Sequence, residues 1–278
     1  MRAVDLPVVV GISTTGSSDA AVRWAARAAA DRGAPLVLLH AVGPDVPVTA
    51  DLGDPTRAVL ASAADAARAE APSVAVTTEV SHERAGHALT RASGEAQLVV
   101  VGTHRLTAAE RVLGSRAYQV VAGSDCAVAV VPALPGPDAD RVVVGSDGSA
   151  HAAVAVRAAA VEAERTGSRL VVVHAWERPP VYAEMGVIAG GFEEGAAADA
   201  AATLTESLAS VERAHPALHV RPHLVQGVPA RALLDEAAGA RLLVVGSRGL
   251  HGVARMLLGS VSHAVLLRAP CPVLVVRR

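Results

Sequence analysis

The stretch "GSRGLHGVARMLLGS", Gly246 to Ser260, follows the apolar run "RLLVV" and sets three glycines and a serine where a strand ends and a helix begins, a pattern suited to a phosphate. Gly246 and Gly249 lack a Cβ, so the backbone there can take positive φ and come close to a ligand. Gly259 and Ser260 stand before "VSHAVLLRA", an apolar-periodic run that reads as a helix, which puts their amides at its N-terminus. That end carries unpaired N–H groups and a partial positive charge, both suited to a phosphate. Hydroxyls of Ser260 and Ser262 would add donors. The plainer reading is a glycine-marked loop with Ser260 as a helix cap. A second chemical position is Asp147 in "VVVGSDGS", either an acceptor for a ligand or the Asx cap of the following helix.

Elements that could position these residues come from an internal repeat. The segment from Val8 aligns with that from Val142 without a gap, at an offset of 134, matching His40 to His174. "LVVVGTH" at Leu98 aligns with "LLVVGSR" at Leu242, and "CAVAVVP" at Cys126 with "CPVLVVR" at Cys271, at offsets of 144 and 145. The second copy therefore carries ten extra residues between its second and third strands and one more in the glycine loop. In each copy, short apolar β-branched runs alternate with Ala-rich helical stretches, which predicts β-α-β units on a parallel, doubly wound sheet. The strands read as apolar throughout, as helices on both faces would require. Two five-stranded α/β modules are expected, residues 1–133 and 141–278, joined by a linker over 134–140 in the proline-rich "PALPGPDADR". Ligands in such sheets bind beyond the carboxyl ends of the strands where the order reverses, which is where Gly145, Ser146 and Gly246 fall.

Composition narrows the function. With 278 residues, 51% apolar and a net charge of −2, the chain has ample core, and it has too few aromatics (2%) and too little positive charge for a nucleic-acid partner. No apolar run approaches a bilayer span and no signal peptide is evident, so a cytoplasmic protein is expected. All 25 basic residues are Arg, which excludes a Walker-type lysine loop and a Schiff-base lysine. Two cysteines, Cys126 and Cys271, are too few for a thiolate cage and read as small apolar fillers. His215, His219 and His223 are spaced by four, but Pro216 and Pro222 interrupt any helix, so no metal site is expected there. His40 and His174 read as core-edge residues.

The spacing G-x2-G-x9-G-S, met by Gly246, Gly249, Gly259 and Ser260, together with "VVVGSDGS", resembles the nucleotide-binding signature of the universal stress protein family, in its UspA-type, ATP-binding branch. The resemblance covers nearly the whole chain as a tandem. It implies a Rossmann-like fold with strand order 3-2-1-4-5, ATP with Mg2+ as the ligand, and pairing of modules through strand five, within the chain or in a homodimer. It further implies Asp147 against the nucleoside, Gly145 and Ser146 near the base, and Ala175 at the adenine pocket. Gly246, Ser247, Arg248 and Gly249 would wrap ribose and phosphates, with Gly259, Ser260 and Ser262 on the phosphate tail and Arg248 and Arg255 within reach of it. A nucleotide-dependent stress-response or signalling module follows. The alternatives are a slow ATPase or nucleotidyl-transfer enzyme, although the H-x-G-H element of such transferases is missing, and a nucleotide-free scaffold.

The first copy departs from this pattern. Ser13, Thr14 and Thr15 replace Asp147, Gly148 and Ser149, and Arg105 replaces Gly249. A β-branched Thr14 and a bulky Arg105 oppose positive φ and close backbone approach. The first site is therefore expected to be weak or empty.

Overall fold

The computed structural model describes residues 6–14, 18–46, 53–105, 111–112, 114–177, 189–250 and 258–277. By internal contacts the chain divides into two compact units, Met1–Leu134 with Leu266–Val275, and Pro135–Val265 with Val276–Arg278.

The first unit runs β1 (Val8–Ile12), α1 (Asp19–Arg32), β2 (Leu36–Ala41), α2 (Gly53–Glu70), β3 (Val76–Ser81), α3 (Ala85–Ala92) and β4 (Leu98–Gly102). A two-residue antiparallel pair follows, β5 (His104–Arg105) with β6 (Arg111–Val112), then α4 (Ser115–Gly123) and β7 (Ala127–Val131). Strands β3, β2, β1, β4 and β7 lie side by side and parallel, the expected 3-2-1-4-5 order. Val8, Val10, Leu36, Leu38, Val99 and Val100 are fully buried, because α-helices cover both faces of these β-branched runs.

The second unit runs β8 (Arg141–Gly145), α5 (Ala150–Arg165), β9 (Arg169–Trp176), α6 (Ala189–Ala214), β10 (Val220–Gln226), α7 (Pro229–Glu236) and β11 (Leu242–Gly246), with α8 (Ser260–Arg268) beginning in it. Its parallel order, β10-β9-β8-β11, repeats 3-2-1-4. The insertion in the second copy coincides with a longer helix, 26 residues in α6 against 18 in α2.

Strand count departs from five and five. The last strand, β12 (Val273–Val276), groups with the first unit through Val275, where Val273, Leu274 and Val275 pair antiparallel with Val130, Ala129 and Val128 of β7. The antiparallel bonds satisfy backbone groups that β7 would otherwise present at a sheet edge. A second departure lies in strand three of each unit. Thr77, Thr78 and Glu79 of β3 are exposed, as are Arg221 and Pro222 of β10, because each of these strands has a neighbour on one side within its unit and carries edge chemistry.

Candidate functional site

At the carboxyl ends of β8 and β11 the chain makes two turns that meet on one side chain. Asp147 follows β8. Its Oδ1 accepts the Ser149 N–H at 3.0 Å, and its Oδ2 accepts the Leu250 N–H, 103 residues away, at 2.9 Å. The first bond closes an Asx turn over Gly148, whose φ is +78°, but the cap of α5, which the sequence offered to Asp147, is Ser149, whose Oγ accepts the Ala152 N–H at 3.1 Å. The second bond brings the glycine loop onto the acid. Local and long-range contacts thus share one carboxylate.

The glycines of that loop are required for a reason other than the expected one. Neither Gly246 nor Gly249 has a positive φ. A Cβ on Gly249 would overlap Asp147 Oδ2, and one on Gly246 would lie 3.1 Å from the carbonyl oxygens of His151 and Arg248. Close packing selects glycine here, not left-handed backbone.

Several site residues already have their polar groups engaged. The Ser146 N–H donates to the Val173 carbonyl at 2.9 Å, its carbonyl accepts from His174 Nδ1 at 2.7 Å, and its hydroxyl lies 2.8 Å from that of Ser207. Ser247 is buried, its N–H on the Val276 carbonyl and its carbonyl accepting the Gly259 N–H, both at 2.8 Å. The Ser262 hydroxyl, expected to face a phosphate, instead donates to the Gly246 carbonyl at 2.6 Å, inside the unit, and ties α8 to the end of β11. Gly145 packs beneath Leu233, 3.0 Å from where its Cβ would be. Partly or fully open to solvent are Asp147, Ala175, Arg248, Gly249, Gly259 and Ser260. Arg255 lies outside the described residues.

The corresponding turn of the first unit is built differently. Thr14, at the position of Gly148, does not take a positive φ. Ser13 instead takes a 3.2 Å bond from its N–H to the Ser18 hydroxyl, and the described part of α1 runs from Asp19. A cavity of about 150 Å³ in this unit is bordered by Ser13, Thr14, His40, Leu89, Gly114 and Arg116.

Elsewhere, His215 pairs with Glu164 at 2.8 Å, and His223 Nδ1 sits 2.7 Å from Glu236 Oε2 without hydrogen-bond alignment. Burial pushes the Cys126 thiol up to about 11, which disfavours the reactive thiolate.

The sequence profile of the universal stress protein family matches residues 6–132 and again 139–277. The chain belongs to the universal stress protein family. A universal stress protein of Mycobacterium tuberculosis is 35% identical over 289 residues, covering 98% of this chain and 97% of that protein. One from Mycolicibacterium smegmatis is 35% identical over 297 residues, covering 99% and 98%. The crystal structure of a universal stress protein from Archaeoglobus fulgidus superposes with a TM-score of 0.72 at 20% identity, covering both chains completely, which shows the shared fold. Among the described residues, no helix is long and apolar enough to cross a membrane, and no group of three or more ligating side chains is placed to hold a metal.

Proposed function

We propose that this chain is a cytoplasmic, ATP-binding universal stress protein that acts as a nucleotide-dependent signalling module, its two modules spanning residues 1–133 and 141–278 about a linker at 134–140. The observation that carries the reading is the meeting of Asp147 with Gly249 and Leu250. It brings an acid from the end of β8 together with the glycine loop from the end of β11, at the strand-order reversal where α/β sheets take their ligands.

In this reading Asp147 exchanges its loop amide for a ribose hydroxyl, a like-for-like replacement of one donor by another. Gly145, Ser146 and Ala175 border the base. Gly246, Ser247 and Gly249 keep the loop backbone close. Arg248 and the N-terminus of α8 at Gly259 and Ser260 receive phosphate charge, while Ser262 holds that helix against the loop. Mg2+ would arrive with the triphosphate, bound by phosphate oxygens and water, since Asp147 is the sole carboxylate among these site residues. The antiparallel register of β7 with β12 supports pairing of the two modules through strand five. A scaffold that uses no nucleotide is the competing reading, favoured by the fact that both Asp147 oxygens are already satisfied.

Calorimetric titration of the full chain with ATP decides between them. One ATP per chain is expected, and Asp147→Ala or Gly249→Glu should each weaken binding by at least about tenfold, through lost hydrogen bonding or through steric and charge conflict. Absence of ATP binding, or binding indifferent to both changes, would favour the scaffold.

A further inference from the structure

We propose that the outer edge of β3 in the first unit is a self-recognition surface, which takes β3 of a second copy of this chain in an antiparallel, two-fold register centred on Thr78. This goes beyond the nucleotide reading and does not depend on it.

The hydrogen-bond ladder is the first argument. At the two ends of the β2–β3 pairing, the Leu36 N–H donates to the Ala75 carbonyl and the Val42 N–H to the Ser81 carbonyl, both at 2.9 Å. A parallel ladder engages alternate residues of a strand, so positions 75, 77, 79 and 81 turn their backbone groups to β2. Val76, Thr78 and Val80 turn theirs to the opposite side, where β3 has no strand neighbour among the described residues. Such a row of N–H and C=O groups is a template for another strand.

The repeat supplies the second. At the offset of 144, Thr78 corresponds to Pro222. In β10 the His219 carbonyl accepts the Leu170 N–H at 2.8 Å and the Gly227 N–H donates to the Trp176 carbonyl at 2.9 Å, so position 222 also faces away from its neighbour, β9. The second copy therefore sets a proline, which has no N–H to offer, at the central outward position, and Arg221 stands beside it. The first copy has Thr78 and Thr77 at these two places, and Val76–Ser81 holds neither proline nor a basic residue. It is rich in β-branched residues suited to pairing. One edge is blocked and its counterpart is left open.

Self-complementarity identifies the occupant. Pairing β3 with a second β3 about Thr78 sets Thr78 opposite Thr78, Val76 opposite Val80 and Thr77 opposite Glu79. Each outward residue then meets another outward residue, as the hydrogen-bonded pairs of an antiparallel ladder require. The intervening pairs bring the Thr77 hydroxyl against the Glu79 carboxylate, a donor against an acceptor. Centring the pair on Glu79 would oppose two carboxylates directly, and centring it on Thr77 would set Val80 against Val74, outside the strand. A single register satisfies both backbone and charge.

The test uses the full chain. Sedimentation velocity should show a reversible dimer whose fraction rises over the micromolar range, the weak class expected of one strand pair. Hydrogen exchange measured below and above that transition should slow at the Val76, Thr78 and Val80 amides and stay constant at Thr77 and Glu79, whose amides already face β2. Thr78→Pro takes the residue found at the equivalent place in β10 and removes the central N–H donor of each strand. It should weaken the dimer by at least about tenfold, with a thermal melt verifying the fold. Thr77 is exposed, so its substitutions give a second test that leaves the backbone intact. Thr77→Glu should weaken the dimer several-fold and Thr77→Lys should strengthen it, because each new charge meets Glu79 twice in the symmetric pair. A monomer throughout that range, a dimer indifferent to Thr78→Pro, concentration-dependent protection at amides other than those three, or the same response to both Thr77 changes would each overturn the proposal.

Discussion

Asp147 and Gly249 are coupled because one carboxylate oxygen occupies the space a side chain at 249 would need. Gly249→Ala should therefore destabilise the protein by roughly 1–3 kcal/mol, the usual cost of overpacking. The same change in an Asp147→Ala background should cost clearly less, because the obstacle has gone. A double-mutant cycle in urea measures the difference, and strict additivity would show that the two residues do not share this contact. The glycine spacing and the acid were legible from sequence because both follow directly from strand ends and helix starts. The reason for the glycines was not, since close approach and positive φ select the same residue and only coordinates tell them apart. The fate of the Ser262 hydroxyl was hidden likewise. A serine at a helix start looks the same whether it faces a ligand or, as here, the carbonyl of Gly246.

Elements show how local chemistry yields to position in the sheet. Apolar runs such as Val8–Val10 and Val142–Val144 announced buried parallel strands, and the family resemblance implied their order. The third strands did not share that pattern, because exposure at an edge rewards polar residues that a central strand excludes. In β10, Pro222 withholds an N–H and Arg221 adds charge, so the strand is poorly suited to recruit another chain. Replacing both, Arg221→Val with Pro222→Val, should raise self-association several-fold by sedimentation or light scattering, while circular dichroism remains that of the parent. A variant as monodisperse as the parent would mean that other features protect this edge. The cavity also belongs to this scale. It is bordered by residues from the ends of β1, β2 and β4 and the start of α4, positions that the alignment of single residues does not gather into one place.

At the scale of the whole molecule, the first unit is discontinuous. It needs residues 266–275, and within them the Val273–Val275 segment that pairs with β7. Removing residues 270–278 should therefore speed hydrogen exchange at Val128–Val130 and promote association of the truncated chain through the bared strand. Unchanged protection and a monodisperse product would show that β7 is stable without its partner. The sequence made the duplication plain but not this grouping, because a repeat unit and a compact unit need not share boundaries when a terminal strand crosses from one to the other. Such a crossing also has a consequence during synthesis. At ordinary rates of elongation, roughly 7–30 s separate the emergence of β7 from the ribosome and that of its antiparallel neighbour. During that interval the nascent chain carries an unpaired apolar edge at β7 that is suited to chaperone capture.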